Sequence, residues 1–172
     1  MRRFLSLTGL LCSIAFSGHA QPSQAVFSLT APELSAQVPP RYTCDGQDIS
    51  PELTWSGIPA KTKSLALILS DPDAPSGTFY HWVVYNIPST VTSFPQGLQS
   101  LPSGCLAGKN SWGKAQYNGP CPPKGSTHRY VFTLYALDTT LTLAPGATAT
   151  SLMHALQSHV VAEATFTTAY GH

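Results

Sequence analysis

Residues 64–88 read SLALILSDPDAPSGTFYHWVVYNIP, and this stretch contains two short apolar runs joined by a polar loop. The runs SLALILS and WVVYNI are typical of buried strands in a central sheet. Each proline of the loop disfavours helical backbone at the residue before it, so the loop should be extended and stiff. We expect the two strands and their loop to bring Asp71, Asp73 and His81 to one end of the sheet.

The rest of the chain continues this pattern of short strands and frequent turns. Its 15 prolines and 13 glycines are spread throughout the sequence, which favours turns over long helices. Further strands are predicted at residues 25–29, 53–55, 130–137 and 160–170, and residues 89–127 are predicted to be mostly loop. The segment TSLMHALQSH predicts a short helix capped by Thr148 or Thr150. The prediction is one mostly-β domain of two packed sheets with one or two peripheral helices.

The first twenty residues, MRRFLSLTGLLCSIAFSGHA, have the layout of a secretory signal peptide. Two arginines precede an apolar run, and small residues stand at positions 18 and 20 before a predicted cut near Ala20. An alternative interpretation of this segment is a first core helix. Under the favoured interpretation, residues 21–172 form a single domain that is periplasmic or secreted.

Charge and the length of the apolar runs exclude two classes of partner for the predicted mature chain. Loss of Arg2 and Arg3 with the leader leaves seven basic residues against eight acidic ones. Nucleic-acid binding needs clustered lysine and arginine, so we expect no nucleic-acid partner. No other apolar run approaches the length of a membrane span, so we expect no integral membrane segment after cleavage.

Three cysteines remain in the predicted mature chain, and an oxidising compartment favours disulfides. The sequence has no Cys-x-x-Cys or His-x-x-x-His pair, which argues against a zinc site. Cys44 and Cys121 both lie in loops rich in glycine, proline or aspartate, YTCDG and GPCPP. We predict a disulfide between these two, which leaves Cys105 free or paired between chains.

A second candidate site lies in NGPCPPKGSTHRY, residues 118–130. Backbone N–H groups in a loop of glycines and prolines can form a concave anion site, to which His128 and Tyr130 could add donors. Arg129 should face the opposite side of the strand, where we expect a structural ion pair. Simpler interpretations remain open: a strand-edge histidine here, and aspartates that only stabilise their own turn in DPDAP.

These stretches together, with RYTCDGQDISPELTWSGIPAKTKSLALIL and LMHALQSHVVAEATFTTAY, resemble the phosphatidylethanolamine-binding protein family, and in particular its bacterial Raf-kinase-inhibitor-like branch. The resemblance extends over residues 25–170. It implies a β-sandwich with a large central sheet, a smaller sheet and a small cavity that accepts phosphate, a carboxylate or a phospholipid head group. The ligand-binding residues that it implies are Asp71, Asp73, His81, Gly119, Cys121, His128 and Tyr130.

The favoured function is therefore a non-catalytic binding protein that uses no cofactor and no metal. One alternative is an interaction or effector module with a vestigial pocket. A second is a metal-dependent hydrolase using Asp71, Asp73, His81 and His128, and a third is an enzyme with Cys121 as nucleophile and His128 as base. The sequence leaves open the ligand, any protein partner, and the choice between monomer and homodimer.

Overall fold

The computed structural model describes residues 25–172, and the predicted leader, residues 1–20, lies outside them. Within this part, two antiparallel sheets share one hydrophobic core, and a single α-helix covers the other face of the larger sheet. The predicted mostly-β fold with a large sheet, a smaller sheet and a peripheral helix is confirmed.

The larger sheet has five strands, and the smaller sheet has three. The strands are β1 (Ser28–Thr30), β2 (Leu53–Ser56), β3 (Ser64–Asp71), β4 (Phe79–Pro88), β5 (Ser93–Phe94), β6 (Leu106–Ala107), β7 (Thr127–Leu137) and β8 (Val160–Gly171). The order is β6-β4-β3-β7-β8 in the larger sheet and β1-β2-β5 in the smaller one. A short 3-10 helix, Pro40–Tyr42, lies between β1 and β2.

Strand β3 occupies the centre of the larger sheet, between β4 and β7, and is buried on both faces. Side chains alternate along a strand, so its three leucines point into the core between the sheets. Ala66 and Ile68 point the other way and belong to a second apolar cluster with the helix α1 (Ala149–Leu156). This two-sided burial explains why the sequence of β3 is continuously apolar instead of alternating.

The strands differ from the sequence prediction mainly at their ends. Strand β4 begins at Phe79 instead of Trp82, and β7 begins at Thr127 instead of Tyr130. In both cases the first residues, outside the predicted apolar run, still have ladder partners, Asp71 for Phe79 and Gly171 for Thr127. The two-residue strands β5 and β6 lie in the predicted loop and were missed, because two residues are too few to show a periodic pattern.

The predicted helix is confirmed and begins after Thr148, one of the two predicted caps. The Thr148 side chain accepts a hydrogen bond from the Ser151 backbone N–H, which satisfies one of the free donors of the first turn. Leu152 and Leu156, four residues apart, are the buried apolar face of this helix. Over residues 25–172, no helix combines the length and apolar character needed to cross a membrane.

The predicted disulfide between Cys44 and Cys121 is present, with its sulfur atoms 2.08 Å apart. It joins two loops that are 77 residues apart in the sequence. Cys105 is half-buried and has no disulfide partner among the described residues. The bond therefore holds the loop after β6, which contains Cys121, against the loop that follows the 3-10 helix.

We expect the double variant Cys44→Ser/Cys121→Ser to lose about 2–4 kcal/mol of unfolding free energy, because the unfolded chain is no longer constrained by the crosslink. Urea denaturation followed by tryptophan fluorescence measures this loss. Cys105→Ser is the matched control and should change stability far less. Equal stability of the double variant and the parent would show that the crosslink contributes nothing to the fold.

Candidate functional site

A cavity of about 350 Å³ lies at the end of the larger sheet where β3 stops and β4 and β7 begin. Antiparallel neighbours bring the last residue of one strand beside the first residues of the next. Asp71 is the last residue of β3, His81 the third of β4 and His128 the second of β7. The lining residues are Asp71, Ala74, Pro75, Ser76, Phe79, His81, Trp112, Cys121, Pro122, Pro123 and His128.

Asp71 and His128 form a buried pair at the inner end of this cavity. The His128 Nδ1–H donates to Asp71 Oδ2 at 2.7 Å, and both side chains are less than a tenth exposed. A carboxylate can only accept, so Nδ1 carries the proton and Nε2 is left for another partner. The other oxygen of Asp71 accepts the backbone N–H of Asp73 at 2.9 Å, which closes the start of the DPDAP turn and fixes the carboxylate.

His81 is held by two backbone carbonyl groups. Its Nδ1–H donates to the carbonyl oxygens of Asn118 and Gly119, each at 3.0 Å. Burial lowers the pKa of His81 below its ordinary value of 6.5, which favours the neutral ring. The neutral ring with a proton on Nδ1 presents an unprotonated Nε2. Thus the Nε2 atoms of both histidines lack a hydrogen-bond partner within residues 25–172.

Tyr130 lies beneath the lining instead of on it. Its ring packs edge-on against His81, with the ring centres 5.3 Å apart, and its side chain is fully buried. The hydroxyl has no hydrogen-bond partner among the described residues. Burial, followed by the nearby Asp71 carboxylate, raises the pKa of Tyr130 well above its ordinary value. The phenol therefore stays protonated and is a buried donor beside the histidines.

Asp73, also predicted as a ligand-binding residue, lies outside the lining of this cavity. Its carboxylate forms a two-pronged ion pair with Arg129, at 2.9 Å to Nε and 2.6 Å to an Nη, and also accepts the Arg129 backbone N–H. These contacts with Arg129 hold the pKa of Asp73 well below its ordinary value. The structural ion pair predicted for Arg129 is thus present, and its partner is Asp73. Of the two aspartates of DPDAP, Asp71 contacts His128 and lines the cavity, whereas Asp73 contacts Arg129 and does not line it.

Gly119 is also placed differently from the expectation, since it supports the cavity instead of lining it. Its N–H donates to Asp48 Oδ1 at 2.6 Å, while its carbonyl group holds His81. A Cβ at this position would lie 1.9 Å from the carbonyl oxygen of Tyr42, so only glycine allows this approach. Of the seven predicted residues, four line the cavity: Asp71, His81, Cys121 and His128.

Asn110 is a supporting residue of this region that sequence reasoning missed. Its buried amide nitrogen donates to Asn118 Oδ1 at 2.9 Å, and its oxygen accepts the backbone N–H groups of Trp112 and Lys114, each at 3.0 Å. Together with Asp48, which accepts from the Asn118 amide at 2.9 Å, it fixes the loop that holds His81. No local sequence pattern identifies Asn110 or Asp48, because their hydrogen-bond partners are distant in sequence or are backbone groups.

Two aromatic residues form the outer wall of the cavity. The rings of Phe79 and Trp112 meet at 4.6 Å between centres, and Trp112 also packs against His81 at 5.1 Å. Trp112 is 44% exposed, which makes it one of the few large apolar side chains on the surface of residues 25–172. The cavity thus has an inner polar end of two histidines and an aspartate, and an apolar mouth.

The arrangement does not favour the two enzymatic alternatives. Nowhere in the described chain do three or more histidine, cysteine or carboxylate side chains converge as metal ligands would, and Asp73 is turned away from the other three. Cys121 has no thiol to act as a nucleophile, because its sulfur is bonded to Cys44.

Comparison with known proteins gives consistent matches over the described chain. The family model for phosphatidylethanolamine-binding protein matches residues 28–171. A UPF0098 protein of Methanothermobacter thermautotrophicus is 50% identical over 131 residues, which are 74% of this chain and 86% of the relative. The UPF0098 protein YbcL of Escherichia coli is 40% identical over 149 residues, 78% of this chain and 79% of YbcL.

Two solved structures have the same architecture. The crystal structure of E. coli YbcL, described as a new member of the mammalian PEBP family, gives a TM-score of 0.81 at 36% identity. The match covers 86% of this chain and 99% of that one. A homologue from Chlamydia trachomatis, described as a putative phosphatidylethanolamine-binding protein homologue, gives a TM-score of 0.79 at 36% identity and covers 87% and 99% of the two chains.

We expect Asn110→Ala to destabilise the protein by about 1–3 kcal/mol, because it leaves the backbone N–H groups of Trp112 and Lys114 and the Asn118 side chain without the buried amide that is their partner. Urea denaturation measures the change. Gln99→Ala, which removes an exposed amide with one backbone hydrogen bond, is the control and should stay within about 0.5 kcal/mol of the parent. A loss no larger than that of the control would show that the Asn110 network does not hold the loop.

The lowered pKa of His81 predicts a pH dependence of folding stability. The unfolded chain takes up a proton at this residue near pH 6.5 and the folded protein does so only at lower pH. Below pH 6.5 the unfolded state therefore binds more protons than the folded state. The unfolding free energy decreases by up to about 1.4 kcal/mol for each unit by which the pH falls. Unfolding free energies of the parent and His81→Gln, measured from pH 8 to pH 5 in chloride buffers, give this difference; identical slopes would contradict it.

Proposed function

Since the chain belongs to the phosphatidylethanolamine-binding protein family, we propose that it is an exported, non-catalytic binding protein whose cavity takes a small anion. The ligand group is a phosphate, a carboxylate or the phosphate of a phospholipid head group. Two features support export: the leader-like residues 1–20 and the disulfide between Cys44 and Cys121, a bond that persists in oxidising compartments.

One observation carries the proposal: two histidines in one cavity each have Nδ1 engaged by an acceptor and Nε2 without a partner in the described chain. Protonation turns each Nε2 into a charged donor. An anion in the cavity would supply the acceptor that these donors lack. The unpartnered hydroxyl of Tyr130 adds a neutral donor nearby.

Binding of this kind is linked to proton uptake. At pH 8 a neutral His81 presents a lone pair on Nε2, which repels an anion, and burial favours this form. As the pH falls, a bound anion stabilises the protonated ring, so anion affinity should rise with acidity. The cavity lining contains neither a free thiol nor a set of converging metal ligands in the described chain, which supports binding without turnover.

Thermal unfolding of the mature protein, treated with a chelator, tests this proposal in inorganic phosphate and in phosphoethanolamine. We expect a saturable rise in Tm at constant ionic strength, larger at pH 6 than at pH 8. A ligand at 100 times its Kd contributes about 2.7 kcal/mol to stability. Asp71→Asn and His128→Gln should each abolish the rise.

The chain offers a matched control for these variants. His159 and Asp138 form a second, exposed histidine–carboxylate pair at 2.9 Å, far from the cavity in the strand register. His159→Gln should respond to phosphate as the parent does. No rise in the parent at either pH would overturn the anion pocket and favour the interaction module. A response that survives in both cavity variants would place the anion elsewhere.

A further inference from the structure

A second, smaller cavity adjoins the histidine cavity. It has a volume of about 220 Å³ and is lined by Cys44, Asp48, Trp112, Lys114, Asn118, Gly119 and Cys121. Trp112 and Cys121 line both cavities, so the two spaces are neighbours. We call the second space the side cavity. A ligand that used both cavities would have to extend past Trp112 or Cys121.

The side cavity contains two opposite charges that are not paired with each other. Within residues 25–172, neither Lys114 nor Asp48 takes part in an ion pair. Asp48 accepts hydrogen bonds from the Gly119 N–H and the Asn118 amide, but both donors are neutral and leave its negative charge in place. A small space with a separate ammonium and carboxylate is complementary to a zwitterion.

Trp112 provides the apolar surface between the two cavities. Its backbone N–H is fixed by the buried Asn110, and its ring is braced by Phe79. The indole N–H has no hydrogen-bond partner among the described residues, and the ring is 44% exposed. A short carbon linker between two polar groups of a ligand would lie against this ring.

We propose that the ligand is a phosphate monoester or diester that carries an α-amino acid group, the chemistry of O-phosphoserine. This inference rests on the proposed anion pocket: the phosphate occupies the histidine cavity, and the amino acid group occupies the side cavity. Lys114 binds the carboxylate, and Asp48 binds the ammonium group. Phosphoethanolamine would leave Lys114 unpaired, and phosphoglycolate would leave Asp48 unpaired, so neither uses both charges.

Isothermal titration calorimetry at pH 6 tests the proposal with five probes: inorganic phosphate, phosphoethanolamine, phosphoglycolate, O-phospho-L-serine and O-phospho-D-serine. We expect O-phospho-L-serine to bind about fivefold tighter than phosphoethanolamine, the gain typical of one exposed ion pair. The D enantiomer should bind more weakly, because its ammonium and carboxylate exchange places relative to the two charges.

Two lysine variants separate a local contact from a general charge effect. Lys114→Gln should bring the affinity for O-phospho-L-serine down to that for phosphoethanolamine and leave phosphate binding within about twofold of the parent. Lys61→Gln, which removes an exposed lysine at the start of β3, the strand end opposite Asp71, should behave as the parent. Equal losses for phosphate and phosphoserine in Lys114→Gln would overturn the proposal.

The outcomes also separate this inference from the proposed function. If phosphate binds but all four organic probes bind no tighter, the side-cavity assignment is wrong and the anion pocket stands. If nothing binds, the anion pocket itself fails. Vesicles of phosphatidylcholine with and without phosphatidylserine identify the source: binding that needs phosphatidylserine and Lys114 indicates a lipid head group, and binding of free phosphoserine alone indicates a metabolite.

Discussion

Burial of β3 on both of its faces is the constraint on which the rest of the structure depends. One face closes the core against the smaller sheet, and the other closes the cluster under the helix. A strand that is apolar on both sides cannot slide by one residue without exchanging these two sets of contacts, so its register is fixed. Because β3 ends at Asp71, the same constraint fixes the position of the carboxylate that binds His128.

The two histidines of the cavity have different hydrogen-bond acceptors at Nδ1. The Nδ1–H of His128 donates to the Asp71 carboxylate, whereas that of His81 donates to two backbone carbonyl groups, and burial lowers the pKa of His81 below its ordinary value. A bound anion would therefore stabilise a charge on His81 that burial opposes.

Much of this arrangement could be predicted from the sequence, because the informative residues flank strands. Asp71 and His81 flank one loop between neighbouring strands, so spacing placed them near one another, and the family resemblance added His128. The roles of Asp73 and Gly119 could not be separated from their neighbours in this way. Which aspartate turns inward depends on Arg129, 56 residues away, and Gly119 is set by the approach of Tyr42. Asn110 gave no signal, since a lone asparagine in a loop is common.

The loop that holds His81 contains an Asn-Gly sequence, which is prone to deamidation. Asn118 precedes Gly119, and an asparagine before glycine loses its side-chain amide when the following backbone nitrogen attacks it and closes a five-membered ring. Here one carboxylate, Asp48, holds both reacting groups, the Asn118 amide through one oxygen and the Gly119 N–H through the other. The attack requires these two hydrogen bonds to Asp48 to break. We therefore expect these two hydrogen bonds to slow deamidation at Asn118.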